Sequence, residues 1–195
     1  MVQFSDIAVI GLGTMGRGIA EAALAAGYRV TAIGRNDSSL KKRLGELEIS
    51  LKRLARLKRF PQNTLDRLEE RLLPRFCPED AGSCSLVIES IPEDLPAKQE
   101  LFSRLDKACS PETVLASNTS CLTVSQIASS AGNKERILGI HFFNPVSAMK
   151  LVEVVSTGFT SQQAFDTALG FCHSLGKTVV SAPDTPGFIV NRLLM

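Results

Sequence analysis

A histidine and a glutamate stand twelve positions apart in HFFNPVSAMKLVEVV, residues 141–155, a stretch that is otherwise mostly apolar. In a desolvated site the Glu153 carboxylate could accept a hydrogen bond from one nitrogen of the His141 imidazole. That bond would fix the tautomer and stabilise the imidazolium, leaving the other nitrogen to act as general base or acid. The pairing needs a chain reversal. Asn144 and Pro145 supply turn residues, and a strand over 150–155 running back beside one over 137–143 brings the two groups level. The spacing by itself favours the plainer reading of a core histidine near a strand-end glutamate. His173 sits in a helical stretch without such neighbours and reads as structural.

The second candidate is GLGTMG, residues 11–16. It follows a short apolar strand at 7–10 and opens an Ala-rich helix that Gly27 can end. In that context G-x-G-x-x-G implies a dinucleotide site. Gly11 permits the tight turn, and Gly13 lets a pyrophosphate approach the backbone. Gly16 lets helix and strand pack closely, while the N–H groups around Thr14 and Met15 face the anion. A glycine-rich turn in some other α/β protein is the alternative.

The second strand, 28–33, ends in Ile33-Gly34-Arg35-Asn36. An NAD-binding chain carries an acid where Gly34 stands, to hold the adenosine ribose. A small residue followed by Arg35 removes the repulsion toward a 2′-phosphate and adds a charge-assisted partner, which leans toward NADP(H). In the alternative, Arg35 points to solvent and Asp37 serves as the acid.

These groups need a scaffold. Further strands are expected at 86–91, 114–117, 137–143, 150–155 and 178–181, with helices near 96–108, 124–131 and 161–175. The alternation predicts an α/β, Rossmann-type doubly wound sheet, mostly parallel, over residues 1–183. Ligands then lie outside the carboxyl ends of the strands, where Glu93, the run Ser117-Asn118-Thr119-Ser120 and His141 fall. An inserted helical hairpin is expected over about 38–76, broken near Pro61. From 41 to 75 it carries eleven Lys or Arg against five Asp or Glu, so it is the place to meet an anionic partner. Asp184-Thr185-Pro186-Gly187 reads as a helix start. Residues 184–195 are expected to be the first turns of a C-terminal helical domain that is largely absent.

The whole chain of 195 residues has a net charge of only +2, which gives no electrostatic case for nucleic acid or membrane. No apolar window is long enough to span a bilayer, and no signal peptide is evident. Five cysteines without CxxC spacing suggest a reduced, cytoplasmic setting and no metal site.

Together, GLGTMGRGIA, VIESIPEDLPAKQELF, ASNTS, HFFNPVSAMKLVEVV and DTPGFIVNRLL resemble the 3-hydroxyacyl-CoA dehydrogenase family along essentially the whole chain. The resemblance implies that His141 is the catalytic acid/base with Glu153 as partner, and that Ser120 and Asn191 lie near the reacting oxygen. It implies that Glu93, Lys98, Asn118 and Asn144 arrange the nicotinamide side of NAD(P), beside the glycines and Arg35. It also implies that the basic arm lies over CoA or a carrier-protein phosphopantetheine, and that a homodimer forms where the C-terminal domain is present. The reaction implied is hydride transfer at C3 of a 3-hydroxyacyl thioester. Rival readings are the 3-hydroxyisobutyrate and 6-phosphogluconate dehydrogenase group, a dehydrogenase of a free hydroxy acid built on the same template, and a non-catalytic cofactor-binding module.

Overall fold

The computed structural model describes residues 6–194. Six parallel strands grow from the centre outward. They are β1 (Asp6–Ile10), β2 (Arg29–Ile33), β4 (Leu86–Glu89), β5 (Val114–Ser117) and β6 (Ile137–Phe142), with β3 (Leu72–Arg75) at one edge. Beyond β6, β7 (Leu151–Ser156) turns back antiparallel, and β8 (Thr178–Pro183) pairs parallel to β7. The order is β3-β2-β1-β4-β5-β6-β7-β8. The chain therefore leaves β1 toward one edge and resumes at β4 on its other side. That reversal opens a crevice at the carboxyl ends of β1 and β4, where this architecture binds ligands.

Both faces of the sheet are covered. One core joins Ile7, Val9, Ala32, Leu138 and Phe142 of the strands to α1 (Thr14–Ala25), α2 (Asp37–Arg56) and α7 (Gln162–Ser174). The other joins Ala8, Ile10, Val87 and Leu115 to α5 (Leu95–Ala108) and α6 (Val124–Ala128). The central strands are buried at nearly every position, so they read as continuous apolar runs rather than alternating ones.

The basic arm departs from expectation at its end. Helix α2 runs to Arg56, and α3 (Gln62–Asp66) and α4 (Leu68–Arg71) are short. Residues 72–75, expected to continue the helix, form edge strand β3 against β2. Pro74 explains the change: it breaks a helix interior and is tolerated on a sheet edge. Nor is α2 a free-standing arm. It buries Leu40, Leu47 and Leu51, pairs Glu46 with Arg17 of α1, and donates its Ser50 hydroxyl to Glu21 of α1.

The expected helix start at Asp184 is also revised. Gly187 and Phe188 both have positive φ, so the chain turns there, and α8 spans only Val190–Leu194. The turn drives Phe188 into the second core, and the Asp184 carboxylate instead accepts the Val124 and Ser125 N–H groups at the start of α6. Among the described residues no helix is long and apolar enough to cross a membrane.

Candidate active site

The glycine turn closes β1 onto α1. Gly11 has φ +90°, and a Cβ there would sit 2.6 Å from the Ser90 carbonyl oxygen. A Cβ on Gly16 would lie 1.8 Å from the Gly11 oxygen, so neither position tolerates a side chain. Gly13 differs: nothing stands within 4 Å of its would-be Cβ, and it precedes α1 without a side-chain cap. The N–H groups of Thr14 and Met15 thus open a 12-residue helix on unfilled space, as a pyrophosphate requires. At the end of β2, Gly34 packs under Leu40 and Arg35 is exposed. Asp37, the alternative ribose acid, lies 2.7 Å from Lys41 in an exposed pair one helical turn apart.

His141 and Glu153 are direct register partners on the antiparallel pair β6–β7. Both are buried, at 3% and 1% exposure. His141 Nδ1 lies 2.7 Å from Glu153 Oε2, while Nε2 makes no hydrogen bond to the described residues. A neutral ring facing a carboxylate carries its proton on Nδ1, which leaves Nε2 with a lone pair. Glu153 Oε1 accepts the N–H groups of Ile189 and Val190 at 3.0 and 2.9 Å. The carboxylate is therefore fixed from both sides. Phe143 and Phe188 flank the imidazole, with centroids 4.6 and 5.6 Å away. The apolar neighbours that look odd in the sequence are the walls of this site.

The loop after β5 is tied both to the strand that carries His141 and to the start of α8. Asn118 accepts the Phe142 N–H at 2.9 Å, which ties the loop to the strand carrying His141. Glu93 Oε1 gathers the Thr119 hydroxyl and the Ser120 and Cys121 N–H groups. Burial pushes the Glu93 carboxyl up, but the Thr119 hydroxyl, the Cys121 N–H, the Lys98 ammonium and the Ser120 N–H prevail and hold it below its ordinary value. Asn191 donates to the Ser120 carbonyl at 3.1 Å, so the start of α8 is fastened to the same loop. Asn144 is exposed in the turn after β6.

Lys98, expected beside the cofactor, is only 1% exposed. Its ammonium lies 2.5 Å from Glu89, 3.4 Å from Glu93 and 3.4 Å from the Ile91 carbonyl. It supports Glu93 from behind and presents no open surface to a ligand. Glu89 was missed by sequence reasoning. Wholly buried, it holds Lys98 and the Ile91 N–H on one oxygen and the Ser117 hydroxyl on the other. Its signal was available: an acid closing the apolar run of β4, with a lysine nine positions on in the first turn of α5. Among the described residues there is no His/Cys/Asp/Glu cluster fit for a metal.

A doubly wound sheet with a glycine cradle at its switch point and an acid–base pair at the end of β6 defines a dinucleotide-binding domain of the dehydrogenase type. The chain belongs to the 3-hydroxyacyl-CoA dehydrogenase family: residues 6–185 match the model of its NAD binding domain. It is 46% identical to the mitochondrial hydroxyacyl-coenzyme A dehydrogenase of Rattus norvegicus, over all of this chain and 64% of that protein. It is 38% identical to the 3-hydroxybutyryl-CoA dehydrogenase of Clostridioides difficile, over 97% of this chain and 67% of that protein. The crystal structure of 3-hydroxybutyryl-CoA dehydrogenase from Escherichia coli superposes with a TM-score of 0.93 at 37% identity, covering 98% of this chain and 41% of that one. The chain thus spans about two thirds or less of the length of these relatives.

Proposed function

We propose that this chain is the cofactor-binding and proton-transferring part of a 3-hydroxyacyl thioester dehydrogenase. The supporting observation is the buried His141–Glu153 pair with an unengaged Nε2, joined through Asn118 to the crevice below the glycine turn. Relatives named for hydroxyacyl-CoA and hydroxybutyryl-CoA substrates support the substrate class.

The glycine cradle fits a nicotinamide dinucleotide: Gly13 leaves room and the start of α1 leaves donors. That cofactor supplies hydride exchange at C3 of the substrate. The chain's own residues do the rest. His141 Nε2 takes the hydroxyl proton in oxidation and returns it in reduction, while Glu153 holds the ring and offsets its charge. Ser120 and Asn191 border the reacting oxygen. Glu93 and Asn118 set the loop beside the nicotinamide side, with Lys98 behind, and Asn144 arranges the turn next to His141. Gly11, Gly13, Thr14, Met15 and Gly16 hold the pyrophosphate.

NADP(H) is the preferred cofactor in this reading, supported by Gly34, by Arg35 and by the engagement of Asp37 with Lys41. CoA, or a carrier-protein phosphopantetheine, meets the basic surface of α2. Residues 184–195 begin a second, helical domain, through which a homodimer would form; cytoplasmic residence accords with the free cysteines.

His141→Asn tests the central role. Asparagine can keep an N–H near the Nδ1 position but has nothing at Nε2. Turnover of 3-oxoacyl-CoA by the full polypeptide should fall about 10³-fold, with cofactor affinity unchanged. A rate within a few fold of wild type would remove His141 from the chemistry.

A further inference from the structure

Arg75 entered the sequence expectations only as one charge of the basic arm, because residues 72–75 were read as helix. The sheet moves it. In the β2–β3 pairing Arg75 is the partner of Ile33, and the Gly34 N–H donates to the Arg75 carbonyl at 3.1 Å. Arg75 therefore stands beside the backbone position at which an NAD-specific acid would sit. Arg35 follows Gly34 directly, just past the end of β2, so both arginines stand at the corner formed by the carboxyl ends of β2 and β3.

No acid stands at the Gly34 position itself. A Cβ on Gly34 would come within 2.9 Å of Leu40 Cδ1 and 3.0 Å of its Cβ, so the packing of α2 keeps that position bare. Asp37 is engaged by Lys41, and the Asn36 side chain caps the Ser39 N–H while accepting the Ser38 hydroxyl. Arg35 and Arg75 are both exposed, and among the described residues neither has a carboxylate partner. The one side-chain hydrogen bond of Arg75 runs from Nη1 to the Pro74 carbonyl, which leaves most of its five N–H donors available. A dianion bound at that corner would take charge-assisted, bidentate bonds from guanidinium groups reaching it from both strand ends.

We infer that Arg75 is a specificity-determining residue that forms, with Arg35, a two-guanidinium site for the 2′-phosphate of NADP(H). The inference rests on the NADP(H) preference proposed above and adds a residue to it.

The test is titration of the purified protein with NADPH and NADH, followed by nucleotide fluorescence, with 2′,5′-ADP and 5′-AMP as competitors. Arg75→Ala and Arg75→Gln should each weaken NADPH and 2′,5′-ADP about tenfold, the loss of one charge-assisted contact. NADH and 5′-AMP should bind as before. Because β3 pairs through its backbone, both variants should melt with the wild type; Gln keeps most of the aliphatic stem. If wild type prefers NADPH and both variants bind it unchanged, the Arg75 role is overturned while the preference stands. If wild type prefers NADH, the preference fails and the two-arginine site fails with it.

Discussion

Two buried carboxylates in this molecule each hold a nitrogen base, and they do opposite work. Glu153 holds His141 on the β6–β7 pair; Glu89 holds Lys98 between β4 and α5. In the second pair the three ammonium donors have three acceptors, in Glu89, Glu93 and the Ile91 carbonyl. Nothing is left to react. In the first pair the imidazole uses one nitrogen for its carboxylate and keeps the other unengaged. A buried pair whose donors are all engaged has only an architectural part to play, whereas one that keeps a lone pair has a group to offer. Burial is nearly the same at both sites and does not distinguish them.

The sharpest way to break this comparison is to cut each pair and read both rate and stability. His141→Asn should lose about 10³ in turnover while its melting temperature stays near wild type. Lys98→Met should do the reverse, because it leaves the Glu89 charge buried and uncompensated. Chemical denaturation should show a loss of about 3–5 kcal/mol, much of it recovered by the double variant Lys98→Met/Glu89→Gln. Equal destabilisation of the single and double variants would mean that the charge pair is not what matters at Glu89.

Glu153→Gln probes the tautomer. The amide N–H₂ facing Nδ1 would force the ring proton onto Nε2 and abolish the base. Turnover should fall about 10²-fold, while an amide oxygen toward Ile189 and Val190 keeps the α8 start in place. Unchanged turnover with the pair in contact would show that Glu153 serves only to anchor the turn before α8.

How far the sequence foretold these pairs follows from what each depends on. The glycine turn is local: its residues are contiguous and their neighbours, a strand and a helix, announce themselves by periodicity. His141 and Glu153 were legible because a short reversal links them, so counting residues comes close to stating their register. Glu89, and with it the true partner of Lys98, escaped because the partnership joins a strand end to a helix face across a turn, and an acid in a strand reads as its terminus. Arg75 escaped for a different reason. A charged stretch ending in Leu72-Leu73-Pro74-Arg75 continues a helix pattern until the sheet edge offers hydrogen bonds that the sequence does not display. The turn at Gly187-Phe188 was hidden likewise, since Phe188 takes a positive φ only because the pocket beside His141 accepts its ring.

The mildest test lies where the two pairs meet the loop. Glu93 touches Lys98 on one side and the Thr119–Cys121 segment on the other. Burial raises its carboxyl, but the Thr119 hydroxyl, the Cys121 N–H, the Lys98 ammonium and the Ser120 N–H outweigh that and hold it below its ordinary value. With the folded value lower than the unfolded one, the unfolded chain binds the proton more readily. The stabilisation is thus fully present above the ordinary glutamate pKa of about 4.3 and is lost as pH falls through the depressed folded value. The side chain is partly open to water, so screening limits the effect to about 1 kcal/mol or less. Asp106, held low against its own burial by Arg136 and the Gly132 and Asn133 N–H groups, loses its contribution in the same acidic range. Denaturation from pH 6 to pH 3 on Glu93→Gln, with Asp106→Asn as the second arm, separates the two. Glu93→Gln should flatten the acid limb and loosen the Ser120 loop, seen as faster amide exchange at Ser120 and Cys121. An acid limb identical to wild type, with those amides equally protected, would show that Glu93 neither charges nor holds the loop as its geometry indicates.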